Sequence, residues 1–418
     1  MRILVISNYY PPVELGGWEQ LTSNVVCKLR ERGHAVTVLT SNYRKEEVRL
    51  PETGIHRLLH LESYDPLNYH PIYSLMRGFQ ERQNLQFLRS VIDHSAPDVI
   101  FINGMWNLSH SLAKKAEELL PGRVVYYLAS YWPTEKDAHT AYWMDMNVDP
   151  RRRLFKKFAG IILSKTFLKN VPRNCLQFPL VLCVSSFIRE YAVQEARIPR
   201  ERTRIVHNGI ELDVFTRKRQ PRREKNVVHL IYAGRLAPDK GVHVLLEALA
   251  LLKEQISDPR VHLSVYGQGA PEYEKKLREM VEHHQLDEWV RFCGLVPRDQ
   301  MPAVLASHDI LVFPSIWAEP LARIIQEAMA SGLAVVGTIT GGTGEILIHE
   351  ETGLVFEAGD KQMLADQIAR LVVDESLRKR LAQAGRRLVE QCFSLERMVD
   401  EIETHFQALL ANEEREIV

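Results

Sequence analysis

The sequence predicts an α/β protein built from two doubly wound parallel-sheet domains, and three observations carry that expectation. The chain has 418 residues, close to three times the ~150 that a domain typically takes, so two domains with self-sufficient cores lead. Hydrophobic residues make up 45% and charged residues 25%, the ordinary globular mixture, which excludes a disordered or collagen-like chain. Short apolar runs alternate with segments of helical period, β then α, once in each half, the order of parallel strands joined by crossover helices.

In the first half, Ile3–Ser7 is a continuous apolar run, as expected of a strand buried on both faces. A loop with Tyr9-Tyr10-Pro11-Pro12 and Gly16-Gly17 follows it. Leu21, Val25 and Leu29, four apart, then mark a helix that Gly33 is placed to cap, and Ala35–Leu39 is the second strand. Further strands are predicted at 99–102, 124–128 and 180–184, and Asn208-Gly209 reads as a turn. The polar, basic run Thr216–Asn226 places the linker between 208 and 226.

Beyond it the alternation restarts. Strands are predicted at 228–233, 261–266, 310–313 and 334–337, with a short one ending at Arg291-Phe292. Helices are predicted at 242–252, 272–283, 301–306, 320–330, 361–373 and 375–391. The domains are drawn as 1–207 and 208–393, both Rossmann-like. Ligands of such sheets sit at the carboxyl ends of the strands, so the two domains are expected to face each other across a cleft.

Charge and cysteine content narrow the function classes. Lys plus Arg and Asp plus Glu each number 53, a net charge of zero, whereas a general nucleic-acid binder needs a basic excess. Cys27, Cys175, Cys183, Cys293 and Cys392 form no C-x-x-C pair and no cluster with His. They read as small buried hydrophobes in a reducing compartment. The apolar start is too short for a signal-peptide core, and no run reaches the ~18 residues of a membrane span. The expectation is a cytoplasmic protein without a metal or organic cofactor.

Chemistry is written most densely in the second domain. Glu319 and Glu327 stand in an E-x7-E spacing across a predicted helix whose first position is Pro320. Glu319 is expected at the helix mouth and Glu327 two turns inside, ~12 Å apart along the axis. That matches the reach of a nucleotide sugar from its sugar hydroxyls across the diphosphate to the ribose. The amides of Leu321, Ala322 and Arg323 would face the anion that a helix N-terminus favours. In Gly234-Arg235 and Lys240-Gly241, two cations five residues apart flank a loop after a strand. Arg offers a planar fork and Lys a point charge to a departing diphosphate. Gly267 and Gly269 follow one strand and Gly341-Gly342-Thr343-Gly344-Glu345 another. No third Gly completes a dinucleotide fingerprint after Gly267, so a nicotinamide site is a poor reading.

With these residues on the page, the chain from Met1 to about Leu410 resembles the retaining, nucleotide-sugar-dependent transferases of glycosyltransferase family 4, whose two-domain fold is called GT-B. The resemblance rests on Gly16-Gly17, Asn208-Gly209-Ile210, Gly234-Arg235-Leu236 with Lys240-Gly241, Arg291-Phe292-Cys293-Gly294 and Phe313-Pro314-Ser315. It rests also on Glu319-Pro320 through Glu327-Ala328-Met329-Ala330, Gly341-Gly342 with Glu345, and Glu351-Thr352-Gly353-Leu354-Val355. It implies that Arg235 and Lys240 hold the diphosphate, Glu319 the donor-sugar hydroxyls, Glu327 the ribose and the backbone near Val296 the base. Gly16 and Gly17 would approach donor phosphate and acceptor, Gly234, Gly267, Gly269, Gly342 and Thr343 would line the donor loops, and Asn103, Ser130 and Trp132 would lie on the acceptor side. Transfer would retain anomeric configuration without a metal ion, and a helix after Ser394, spanning about 394–418, would pack back on the first domain. Ala129-Ser130 and Asn103-Gly104 stand where the family often has His, and Ala322 where it often has Gly.

Blander readings stand beside these. Glu319 and Glu327 could be a helix cap and a solvated carboxylate, although the apolar neighbours Ile324, Ile325, Ala328 and Met329 disfavour an unpaired charge at 327. Arg235 could simply pair with Asp239. The stretch Arg151–Arg173 holds eight basic residues and no acidic one. It reads first as a helix with an apolar stripe of Leu154, Phe158, Ile161 and Ile162, and second as a peripheral contact with anionic lipid at the inner face of the membrane. The expected partners are a nucleotide-sugar donor and a hydroxyl acceptor (glycan, lipid-linked or small molecule). Other functions on the same scaffold are a glycan phosphorylase, a nucleotide-sugar epimerase, or a non-catalytic sugar-nucleotide-binding subunit.

Overall fold

The computed structural model describes residues 1–14, 16–48, 53–63, 72–144, 175–215, 227–255 and 261–416. The basic stretch Arg151–Arg173 and the run Thr216–Asn226 lie outside them. The chain divides into two compact units, Met1–Val206 with Val399–Val418, and His207–Met398.

The first unit carries a seven-stranded, all-parallel sheet in the order β3-β2-β1-β4-β5-β6-β7. Its strands are β1 (Arg2–Ile6), β2 (Ala35–Ser41), β3 (Ile55–Leu59), β4 (Val99–Ile102), β5 (Val124–Leu128), β6 (Leu180–Cys183) and β7 (Thr203–Ile205). Its helices are α1 (Gly17–Glu31), α2 (Ile72–Ser95), α3 (His110–Leu119), α4 (Ala138–Met144) and α5 (Ser186–Gln194). The four residues of β4, Val-Ile-Phe-Ile, are wholly buried, as a central parallel strand requires. Gly33, at φ +85°, donates its N–H to Arg30 O at 2.9 Å and closes α1.

The second unit repeats the plan with six parallel strands in the order β10-β9-β8-β11-β12-β13. They are β8 (Val228–Ala233), β9 (Val261–Tyr266), β10 (Val290–Gly294), β11 (Ile310–Phe313), β12 (Ala334–Gly337) and β13 (Leu354–Val355). The helices are α6 (Leu212–Phe215), α7 (Val242–Gln255), α8 (Pro271–His283), α9 (Met301–Ala306), α10 (Arg323–Ala330), α11 (Lys361–Val373) and α12 (Glu375–Cys392). Leu245, Leu249 and Leu252 of α7 and Leu364, Ile368 and Leu371 of α11 join Leu230, Leu263 and Val312 of the strands in one buried core. The last helix, α13 (Leu395–Glu416), starts here, and from Val399 its residues belong to the first unit. There Phe406 meets Phe101 edge-on at 5.3 Å. Arg32 pairs with Asp400 at 2.7 Å and with Glu403 at 3.0 Å.

Several expectations are corrected. The helix after Glu319 begins at Arg323, with Ala322 as its N-cap. Pro320 is therefore a loop residue, and Glu327 lies one turn inside α10 rather than two. Asn208-Gly209 is a packed segment instead of a free turn. Ile210 donates to Phe393 O at 3.0 Å, and a Cβ on Gly209 would come within 2.4 Å of Ser394 O. Of the five cysteines only Cys183 is buried, while Cys27, Cys175 and Cys392 are exposed and Cys293 half-buried. Strands β3, β7 and β13 and helices α2, α3, α4, α5 and α6 were not anticipated.

Candidate active site

In the second unit the strand order reverses between β8 and β11, where ligands of open parallel sheets enter. The loops leaving the strands on both sides of that reversal are tied backbone to backbone. Gly234 N donates to Tyr266 O at 3.0 Å and Leu236 N to Gln268 O at 2.9 Å. Ile316 N and Trp317 N share Asp239 O at 2.8 and 3.1 Å, and Gly342 N reaches Glu319 O at 2.7 Å. Glycine is required because these main chains touch. A Cβ on Gly267, which sits at φ +138°, would stand 1.8 Å from Gly234 O, and one on Gly241, at φ +70°, would stand 1.9 Å from Pro314 O.

This rim holds the charged residues in two groups. Lys240 Nζ donates to Glu319 Oε1 at 2.5 Å and lies 4.3 Å from the Trp317 ring centroid. Ser315 Oγ donates to the same carboxylate oxygen at 3.0 Å. Both charged side chains are mostly buried, so each neutralises the other's desolvation. Arg235 is different: its side chain is 68% exposed and, among the described residues, its ion pair is a long one with Asp239, at 3.8 Å. The pairing with Asp239 expected of a bland loop is thus present but long, and it leaves the guanidinium open to solvent.

The second group surrounds Glu327, which is 1% exposed. Arg298 forks onto both of its carboxylate oxygens, with Nη1 at 2.9 Å from Oε2, and Arg323 Nε adds a third bond at 3.1 Å. The expected cost of an unpaired carboxylate among apolar neighbours therefore does not arise. Sequence reading missed Arg298 and Trp317, and it named Ser315 within Phe313-Pro314-Ser315 without giving it a role. Arg298 sits in a one-turn helix, Arg298–Gln300, two residues after Val296 and without periodicity to mark it. Val296 is half-buried, and Leu321, Ala322, Gly342 and Thr343 are buried. Nearby, His207 Nε2 meets Glu345 Oε2 at 2.6 Å, and burial, with Tyr273 and Glu319 nearby, pushes the Tyr232 hydroxyl pKa up.

The first unit treats its expected residues otherwise. Asn103 is fully buried, with Nδ2 donating to Thr22 Oγ1 at 3.0 Å. Trp132 is buried among His110, Tyr126 and Phe178, at ring distances of 5.3, 6.1 and 6.0 Å. Both are buried, and Asn103 Oδ1 has no hydrogen-bond partner among the described residues. Ser130 is half-buried. Gly16 donates its N–H to Glu19 Oε2 at 3.0 Å at the start of α1, and a Cβ there would find nothing nearer than 3.9 Å. Among the described residues no group of three or more His, Cys, Asp and Glu side chains is placed to hold a metal ion. No helix among them is long and apolar enough to cross a membrane.

Two doubly wound units with this loop architecture define a glycosyltransferase of the GT-B type. Residues 15–214 match the model of Glycosyltransferase Family 4 and residues 214–388 that of Glycosyl transferases group 1. The chain belongs to this family. It is 25% identical to the N-acetyl-alpha-D-glucosaminyl L-malate synthase of Bacillus anthracis over 99% of both chains. With the putative glycosyltransferase YtcC of Bacillus subtilis it shares 29% identity over 55% of this chain and 60% of that protein. The chain spans between 54% and 63% of the length of the first curated relatives it matches. Its fold is shared with Anabaena Alr3699/HepE, solved in complex with UDP and glucose (TM-score 0.69, 20% identity, 97% of this chain and 99% of that one). It is shared too with sucrose-phosphate synthase from Thermosynechococcus elongatus (TM-score 0.71, 20% identity, 98% and 99%).

Proposed function

We propose that this protein transfers a hexose-type sugar from a nucleoside diphosphate sugar, with UDP or GDP as the carrier, to a hydroxyl acceptor, retaining the anomeric configuration. The observation that carries this reading is the Lys240–Glu319–Ser315 contact at the strand reversal, with exposed Arg235 on the adjoining loop. A diphosphate arriving there meets Lys240 and Arg235, and Lys240 leaves Glu319 to take the anion. Glu319 is then released to accept hydrogen bonds from sugar hydroxyls, while Glu327, already oriented by Arg298 and Arg323, receives the ribose. As the bond between the anomeric carbon and the diphosphate oxygen breaks, the two cations stabilise the growing negative charge. The acceptor oxygen bonds to the anomeric carbon on the face just vacated, and its proton passes to the departing diphosphate oxygen. No imidazole is needed at Ala129, and no metal ion is assigned to the step.

Thermal-shift screening against UDP, GDP, ADP and their common sugars tests the donor reading. A nucleoside diphosphate should raise Tm in proportion to its affinity, and a flat response to every compound overturns it. Arg235→Ala should retain the fold and lose turnover by orders of magnitude, with chelator leaving the wild-type rate unchanged. Wild-type turnover in that variant removes the proposed mechanism. Phosphate-dependent release of sugar phosphate, or epimer formation without acceptor, identifies the other reactions this scaffold could run.

A further inference from the structure

The spacing between Glu319 and Glu327 is not fixed by one helix. Glu319 stands in a loop, Ala322 is the N-cap, and Glu327 lies in α10. A loop residue and a helix residue can shift against each other unless something outside both ties them down. Such ties come from the point where the chain enters the second unit, at His207. His207 Nε2 lies 2.6 Å from Glu345 Oε2, and Glu345 closes the short helix Gly341–Glu345. That helix carries the Glu319 backbone. Gly342 N donates to Glu319 O at 2.7 Å, and a Cβ on Gly341 would strike the same oxygen at 2.2 Å. The next residue, Asn208, is 3% exposed and reaches α10. It accepts from Gln326 Nε2 at 2.8 Å on Oδ1 and at 3.2 Å on its main-chain O, and Gln326 immediately precedes Glu327. Two adjacent residues thus each hold an element that bears one of the two acids.

The holding segment is itself anchored. Leu395 N donates to Ile210 O at 2.9 Å, Arg397 Nη2 donates to His207 O at 2.7 Å, and the Phe393 ring lies 5.2 Å from the His207 ring. Gln326 argues that these ties serve more than stability. Its side chain is wholly buried, and the Asn208 carbonyl, which can only accept, fixes Nε2 toward it. Oε1 is left buried with no hydrogen-bond partner among the described residues. A buried acceptor left unmade is costly, whereas apolar groups of the same shape in place of both partners can be neutral or stabilising. What distinguishes the Asn208–Gln326 pair from an apolar one is its directional grip on the start of the helix that carries Glu327.

We infer that His207 and Asn208 are positioning residues for the donor, His207 acting through Glu345 on the Glu319 loop and Asn208 acting through Gln326 on Glu327. The inference rests on the transferase reading above and adds what sets the distance between the transferred sugar and the ribose. Groups that orient a reacting bond must themselves be held by a supporting shell. Loosening the Glu319 loop misaligns the sugar whose bond breaks, so kcat falls while nucleotide affinity is kept. Loosening Glu327 weakens a ribose contact that is the same in the ground and transition states, so KM rises instead. The two neighbours therefore leave different kinetic signatures, which a shared role in folding does not produce.

Steady-state release of nucleoside diphosphate from UDP-glucose and GDP-mannose by the full chain tests this, with Kd for UDP and GDP taken from calorimetry. His207→Phe keeps a ring against Phe393 and removes the bond to Glu345. There kcat should fall roughly tenfold or more, with Kd within about threefold of the wild type. His207→Gln, which restores a donor, should recover most of kcat. Asn208→Ala should raise KM and Kd roughly tenfold and change kcat by less than about threefold. An unchanged kcat in His207→Phe or an unchanged Kd in Asn208→Ala overturns the inference. So does an equal loss of kcat in both variants that tracks a fall in Tm, since that marks a structural role alone. A wild type that neither binds nucleotide nor releases it removes the transferase reading, and this inference with it.

Discussion

The two units share one architecture, yet the carboxyl ends of their sheets are built to opposite rules. In the second unit the rim is charged, with Lys240 set against Glu319, Glu327 against Arg298 and Arg323, and Arg235 left open to solvent. In the first unit the polar side chain of Asn103 has sunk into the core, and the exposed group is the indole of Trp106. Glycine follows the same divide. Gly241, Gly267 and Gly269 are small because a neighbouring main chain occupies the place of a Cβ, whereas Gly16 is small with almost nothing there. One residue type thus carries two physical meanings, and what a Cβ would strike tells them apart.

Two alanine substitutions break or sharpen this contrast most strongly. Gly267→Ala forces a side chain into φ +138° and against Gly234 O, so a loss of roughly 3 kcal/mol or more in unfolding free energy is expected. Gly16→Ala meets only ordinary packing, at extended backbone, so stability should stay within about 0.5 kcal/mol while turnover falls. Urea unfolding with steady-state kinetics reads both effects. Equal destabilisation by the two variants would erase the distinction.

The clamp on Glu327 comes next in size. Arg298→Ala leaves a buried carboxylate with Arg323 as its remaining arginine partner. Removing one member of a buried pair is strongly destabilising, and Arg298 is itself partly exposed, so about 1–3 kcal/mol is expected. Nucleotide affinity should drop about tenfold as the carboxylate loses its orientation. Arg298→Lys should recover stability better than affinity, since an ammonium cannot fork onto two oxygens. Calorimetric titration with UDP or GDP measures this, and an unchanged Kd in Arg298→Ala would show that the clamp serves folding alone.

These tests also mark where the sequence was readable. Strands such as Val99–Ile102 and Ile310–Phe313 were legible to the residue, because a strand buried on both faces is a continuous apolar run bounded by polar residues. The start of α10 was not. Pro at a first helical position is a sound local preference, but the Glu319 backbone is engaged by the Gly341-Gly342 turn, which holds Pro320 to Ala322 out of the helix. E-x7-E was visible as spacing, whereas the arginine that holds its second carboxylate comes from a loop 29 residues away in the chain. The burial of Asn103 and Trp132 was not legible, because motif position says nothing of side-chain direction. Strand β3, with only two of its five residues buried, lacked the apolar density that exposed the others.

The smallest effect concerns a buried acid three residues after the end of β3. Glu62 is buried, accepts from Ala138 N at 2.9 Å, and has no hydrogen-bond partner for Oε1 among the described residues. Burial, with Asp137 adding to it and Arg77 opposing, pushes its pKa up to about 7. His139 in the same cluster is pushed down to about 3, by burial first and Arg77 second. The two groups act with opposite sign. Between its ordinary value and about 7, Glu62 binds more proton in the folded chain than in the unfolded one, so its contribution is full in acid and is lost as pH rises through that window. His139 stays neutral in the folded chain while the unfolded chain takes up a proton below about 6.5, so its contribution is lost as pH falls. Glu62→Gln keeps an acceptor for Ala138 N and removes only the first effect. Hydrogen exchange at β3 should therefore lose its slowing toward acid between about pH 5 and pH 8, once intrinsic exchange is corrected for, while loss of protection below pH 6 remains. A profile in the variant identical to the wild type would assign the pH dependence to other groups.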